Sequence, residues 1–285
     1  MKNQTNSRFT TFRTIYLVIL CIVTIAAIVF GTFYYTGTGF DFGFDHGKYQ
    51  EKSWSKEDLS GPFTGLDIQV NVSDVEIIAD DKPGITFDGR KNLTPTVHNK
   101  NGVWTITQKA KNKVLGTTFF GFHRHISRLK VHIPSNASLD SVQVSCKMGD
   151  LKLKGLRTKS MDLGLSAGDL TLTGSHIGEL TAKLSMGDFD IKECKIHSTD
   201  ADLSMGDLSA KQIEIGNFSA DLSMGDCTLK SKTDLTDAAM DLRTSLGDVT
   251  VNKKDQGNKY CNSRENDAEH IIRIKDSMGD IDLLW

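Results

Sequence analysis

Seven Gly-Asp pairs are the residues in this chain that most invite a chemical reading. They are Gly149-Asp150, Gly168-Asp169, Gly187-Asp188, Gly206-Asp207, Gly225-Asp226, Gly247-Asp248 and Gly279-Asp280. A carboxylate next to glycine can accept the N–H groups of a tight turn. A column of such carboxylates can instead collect Ca²⁺, because like charges stacked about 4.8 Å apart repel by roughly 1 kcal/mol in a water-like dielectric. The known nine-residue calcium repeat has more glycine and a second patterned acid. This motif has neither, so these pairs are read as structural turns. Asp162, Asp202, Asp221 and Asp241 are the carboxylates that could serve a polysaccharide-cleaving β-helix. They alternate with apolar residues as a solvated strand face does, and no unique acid–base–nucleophile cluster accompanies them. The expectation is therefore no catalytic residue, no metal site and no cofactor. Among the cysteines, Cys21, Cys146, Cys194, Cys227 and Cys261 show no C-x-x-C spacing, which disfavours zinc or redox chemistry.

The spacing of the pairs predicts the elements that hold them. The first five pairs follow one another at intervals of 19 residues, and the last two come 22 and 32 residues later. The sequence LSMGD occurs at residues 184–188, 203–207 and 222–226. Counting from each glycine, apolar residues fall at −5 and −3 (Ala201, Leu203) and at +2 and +4 (Leu208, Ala210), with polar residues between. Period-two alternation marks strands with one buried face. A further apolar column lies at +9, at Ile177, Ile196 and Ile215. A 19-residue unit cannot bury that face alone, so successive units must stack. The prediction is an all-β protein, a parallel β-solenoid of about 19-residue rungs with S-M-G-D turns. Cys146 and Cys227 fall on inward columns as small apolar residues. Met148, Met186, Met205, Met224 and Met278 are expected to fill space before the turn, and the serines one place earlier to bond turn backbone.

Residues 14–40 carry no charge, and the apolar run within residues 14–35 is long enough to span a bilayer. Lys2, Arg8 and Arg13 make the short tail before it basic, with no acid. The positive-inside rule then puts the N-terminus in the cytoplasm and the rest outside the membrane. The expected organisation is a tail at 1–13, a transmembrane helix at 14–35, a juxtamembrane linker at 36–60, an N-terminal β-region of the solenoid at 61–135 and the repeat solenoid at 136–285. A net charge of −2 with 34 basic and 36 acidic residues argues against nucleic acid as a partner.

Residues 71–74 (NVSD) align with SMGD and place Ser73 where the glycine would be. Residues 103–107 and 129–133 are further strand candidates. Between them Phe119, Phe120, Phe122, His123, Arg124 and His125 form an aromatic–basic segment, the candidate contact for a partner or a membrane surface. Residues 252–270 form a polar insertion expected to loop from the solenoid side. The last repeat ends at Trp285, so its edge is expected to be open and to favour self-association.

The single N-terminal span, residues 129–134 (LKVHIP) and the serial S-M-G-D-L-x-L turns resemble a bacterial β-strand-repeat family known as "putative adhesin". Its membrane-anchored members include LiaG-like proteins of Gram-positive envelope-stress operons. The resemblance implies a non-enzymatic cell-envelope protein. Its ectodomain would present a surface to an envelope protein or cell-wall polymer, in adhesion or envelope stress. A self-assembling scaffold and a wall-polysaccharide enzyme are the other readings.

Overall fold

The structure is a computed structural model that describes residues 51–56, 59, 61–108, 127–262 and 268–285. The expected membrane span, the cytoplasmic tail, most of the linker and the aromatic–basic segment from Phe119 to His125 lie outside these residues. Among the described residues, no helix is long and apolar enough to cross a membrane.

The described chain is all-β, apart from one 3₁₀ turn at Lys91–Leu93. A central rung shows the pattern. Strand His176–Leu184 belongs to one sheet, the Gly187-Asp188 corner follows, and strand Phe189–Lys192 belongs to the second sheet. The next rung, Lys195–Leu203 and the first part of Leu208–Leu222, pairs with it in parallel and in register, with Ala182 on Ala201 and Phe189 on Leu208. Leu203 and Leu222, and Ile191 and Ala210, stack in the same way. The inward columns are buried throughout, among them Leu165, Leu184, Leu203 and Leu222 at the −3 position. Each such leucine contributes about 1.5–3 kcal/mol by leaving water.

Nine rungs stack among the described residues, but not in chain order. In space the first is Val103–Thr107 with Arg128–Pro134, and the second is Gly65–Val72 with Asp74–Asp80. Leu139–Met148 with Leu151–Lys154 lies third, and the order then follows the chain to Cys227–Ser231. The eighth rung is Ile271–Met278 with Ile281–Leu284, and the ninth is Ala239–Leu246 with Val249–Val251. At each end, then, the rung nearest the chain terminus is tucked inside its sequence neighbour. The intervals of 22 and 32 residues now have an explanation: Gly225 and Gly279 are spatial neighbours, and Gly247 lies outside both.

The expected open edge after Trp285 is therefore not found. The last rung in sequence lies between two others. The outermost one carries antiparallel strands on both sheets, Lys259–Cys261 against Ala239–Leu246 and Lys254–Asp255 against Val249–Val251. These strands come from the 252–270 insertion, which covers the end rather than looping from the side. At the other end, Thr96–Lys100 and Gly84–Arg90 play the same part, and Glu51–Lys56 pairs onto the latter. Capping satisfies ladder groups that would otherwise template further strands.

Candidate functional site

The Gly-Asp corners are structural, and their geometry shows why. Gly149, Gly168, Gly187, Gly206 and Gly225 have φ between +129° and +137°. A Cβ at Gly206 would lie 2.1 Å from the Gly187 carbonyl oxygen. These five corners therefore nest backbone on backbone at a positive φ that favours glycine. Ser73 does occupy the glycine place of its rung, directly under Gly149.

The aspartates form a chain of hydrogen bonds from rung to rung. Oδ1 of Asp74, Asp150, Asp169, Asp188, Asp207, Asp226 and Asp280 accepts the backbone N–H of the next aspartate in the stack, at 2.8–3.1 Å. Among the described residues, no three His, Cys, Asp or Glu side chains are grouped to hold a metal ion. One consequence is testable by urea unfolding. Asp207→Ala should cost about 1 kcal/mol by leaving the Asp226 N–H without this acceptor. Asp207→Asn should restore most of that, because an amide oxygen still accepts, and it should make stability less sensitive to added salt. Equal losses in the two variants would refute the acceptor role.

The methionine column does not fill space as expected. Met186, Met205, Met224 and Met278 are 45%, 42%, 41% and 45% exposed. They project from the corner because the residue before the left-handed glycine already points outward. The serines beside them, Ser185, Ser204 and Ser223, are also exposed. The corner is tied instead by backbone bonds such as Ser204 N–H to Leu184 O at 3.0 Å.

Cys146, Cys194 and Cys227 are buried, while Cys261 is exposed. Burial pushes the Cys146 thiol up to about 12 and raises those of Cys194 and Cys227 as well. A thiol held protonated is a poor nucleophile and metal ligand. The carboxylates considered for catalysis are dispersed. Asp162 is exposed on its strand, Asp202 and Asp221 are neighbours on successive rungs, and Asp241 is paired with Arg243 at 2.6 Å. His132 is engaged by Asp80 at 3.0 Å, which lowers that carboxyl's proton affinity.

Sequence reasoning missed a groove of about 540 Å³ at the far end of the long strands. Its floor is the Ile177, Ile196 and Ile215 column, each at most 4% exposed. One wall stacks Arg157, His176, Lys195 and Glu214 in register on four rungs. Beyond the isoleucines the column reads Lys159, Gly178, His197, Gly216, so every second rung lacks a side chain there. Those two glycines are compelled by packing: a Cβ would lie 2.4 Å from Lys159 O or 2.2 Å from His197 O. Thr233 and His270 close one end, and Nδ1 of His270 is buried without a hydrogen-bond partner. The lining holds three cations and one carboxylate in a chain whose net charge is −2. Lys195 pairs with Glu214 at 3.1 Å and Lys159 with Asp140 at 2.7 Å. Exposed pairs of this kind are worth about 0–1 kcal/mol, so an incoming anion can displace them. The recurrence of glycine at Gly178 and Gly216, two repeats apart, was the signal that could have revealed the groove.

This architecture defines a class: an all-β repeat protein whose parallel rungs share one core and whose surface is a set of columns. The chain belongs to the Toastrack DUF4097 family, which matches residues 63–284. Its fold is similar to that of a "putative adhesin" from Bacteroides fragilis, at 13% identity and a TM-score of 0.50, covering 82% of this chain and 97% of that one. Less similar structures include a "putative cell adhesion protein" from Clostridium sporogenes, at 14% identity and a TM-score of 0.39, with coverage of 83% and 99%. A "putative lipid binding protein" from Parabacteroides distasonis has 12% identity and a TM-score of 0.40, with coverage of 81% and 96%. Among curated proteins, none matches this sequence. At such identities the likeness is one of fold.

Proposed function

We propose that this protein is a non-enzymatic binding component of a bacterial cell envelope, and that its groove holds an extended anionic wall polymer. The observation that carries the reading is the groove itself: an isoleucine floor on three consecutive rungs beside a wall on which Arg157 and Lys195 stand two rungs apart. A ligand with negative charges about 10 Å apart would meet Arg157 and Lys195 on alternate rungs, two rung spacings of about 4.8 Å from one another. The uncharged segment at residues 14–35 serves in this reading as the membrane anchor, with the basic N-terminus in the cytoplasm. A role in envelope stress, by the likeness to LiaG-like proteins, belongs to the same reading. Self-assembly through an open last rung is disfavoured, because both outer rungs carry antiparallel strands.

The test is binding of full-length protein in detergent to poly(glycerol phosphate), followed by calorimetry. Arg157→Ala combined with Lys195→Ala should weaken binding by at least about tenfold, since each lost charge contact is worth roughly 1 kcal/mol. Affinity should also fall steeply with salt. No binding, or binding unchanged in the double variant, overturns the reading.

A further inference from the structure

The methionine ridge stands about nine residues from the groove, at the opposite end of the same long strands, and the proposed polymer site makes no use of it. Five of the chain's eight methionines occupy this single column. Met186, Met205, Met224 and Met278 follow one another without interruption, as shown by the bonds from Gly187 N–H to Met205 O, Gly206 N–H to Met224 O and Gly225 N–H to Met278 O, at 3.0–3.1 Å. The backbone does not require methionine there, since Ala167 and Leu246 take the same place on other rungs. Nor does the core, because all four side chains are more than 40% exposed.

We propose that the ridge binds a soft monovalent metal ion, Cu(I) or Ag(I), between thioethers of adjacent rungs. Thioether sulfur is polarizable and neutral at every pH, and it favours soft ions over Mg²⁺, Ca²⁺ or Zn²⁺. Rungs about 4.8 Å apart match two metal–sulfur bonds of about 2.3 Å, the length typical of zinc–thiolate, set end to end. A linear two-sulfur ion therefore fits between neighbours with little distortion of flexible side chains. The aspartate column runs beside the ridge, two residues further along each rung. With one oxygen of each carboxylate occupied by backbone N–H, it supplies a negative field that draws cations to the thioethers. Regular stacking turns a residue that is an unremarkable ligand singly into a row of paired ligands.

The experiment uses full-length protein in detergent, with Cys21→Ser and Cys261→Ser to remove thiols that would compete. Silver nitrate, which needs no reductant, is titrated while the methionine methyl resonances are followed by NMR. The four ridge methyls should shift together, saturating at about two ions, one for each two thioethers. Those of Met161 and Met240, which are 1% and 3% exposed, should stay in place. In equilibrium dialysis, the leucine variant, carrying Met186→Leu, Met205→Leu, Met224→Leu and Met278→Leu together, should retain at least about tenfold less silver. Unmoved ridge methyls, or equal silver retention in the leucine variant, would overturn the proposal. So would ridge methyls that respond to phospholipid vesicles and not to silver, which would assign the ridge to a lipid surface. Should the leucine variant not fold, the methyl titration of the parent protein still decides. Because polymer binding is read at Arg157 and Lys195, each proposal can fail without the other.

Discussion

Gly206→Ala is expected to unfold the centre of the solenoid, at a cost of more than about 4 kcal/mol. Two effects combine. At φ +134° an L side chain is strained, which costs of order 1–3 kcal/mol. The new Cβ would also lie 2.1 Å from the Gly187 carbonyl oxygen, a backbone atom that cannot swing aside. Relieving that contact means separating two rungs, which would stretch the Asp207-to-Asp188 bond of 2.9 Å and the backbone bonds beside it. Two companion variants separate the causes. Gly174 has φ +59° and no atom within 4 Å of its added Cβ, so Gly174→Ala should cost only about 1–2 kcal/mol. Gly178 lies outside the positive-φ set, yet its Cβ would meet Lys159 O at 2.4 Å. Gly178→Ala thus isolates the collision and should fall between the other two. Thermal unfolding followed by circular dichroism gives the order, and a Gly174 variant as damaged as the Gly206 variant would refute the close-approach account.

The second large effect has the opposite sign: Asp276→Leu should stabilise the protein by about 2 kcal/mol at neutral pH. Asp276 lies in the −3 column, in register with Leu222 on one side and Thr244 on the other. It is 5% exposed, and although Oδ1 accepts the Met278 N–H at 3.1 Å, Oδ2 is buried without a partner. Burial raises its proton affinity above the usual carboxylate value, and the charges of Asp226 and Asp280 add to the effect. The folded state thus holds this proton at pH values where the unfolded chain has lost it. Asp276 therefore favours folding fully only below the unfolded value of 3.8, and that support is lost as pH rises through the elevated folded value. In urea titrations at several pH values, the advantage of the leucine variant should grow from acid to neutral pH. Asp276→Asn should show a smaller gain with no such growth. A leucine variant less stable than the parent at pH 7 would show that the side chain meets a need its buried, unpaired oxygen does not reveal.

The repeat itself was legible because its causes are local. Alternation at Ala201, Leu203, Leu208 and Ala210 states which face of each strand is buried, and the recurrence of Gly-Asp states where the backbone must turn. Even Ser73 in the glycine place could be read from the three residues around it. The second corner escaped notice. Gly155, Gly174, Glu193 and Gln212 share positive φ values of 55–72° at 19-residue spacing, but residue type changes along that column, so composition did not mark it. Likewise Cys194 is buried with Cys146 and Cys227, although its place off the main alternation concealed this.

The sequence by itself determined the period, the inward columns and the turn chemistry of this protein, since each depends on neighbours a few residues away. The tertiary structure alone decided the order of the rungs, because any two parallel edges offer the same hydrogen bonds and only long-range pairing selects between them. It placed Gly279, rather than Gly247, next to Gly225, and it covered both ends with antiparallel strands. It also decided that the methionines face solvent. That outcome turns on the direction of a side chain at a corner, where alternation no longer tells inside from outside. The groove arose in the same way, from residues nineteen apart whose only connection is the stacking of one rung upon the next.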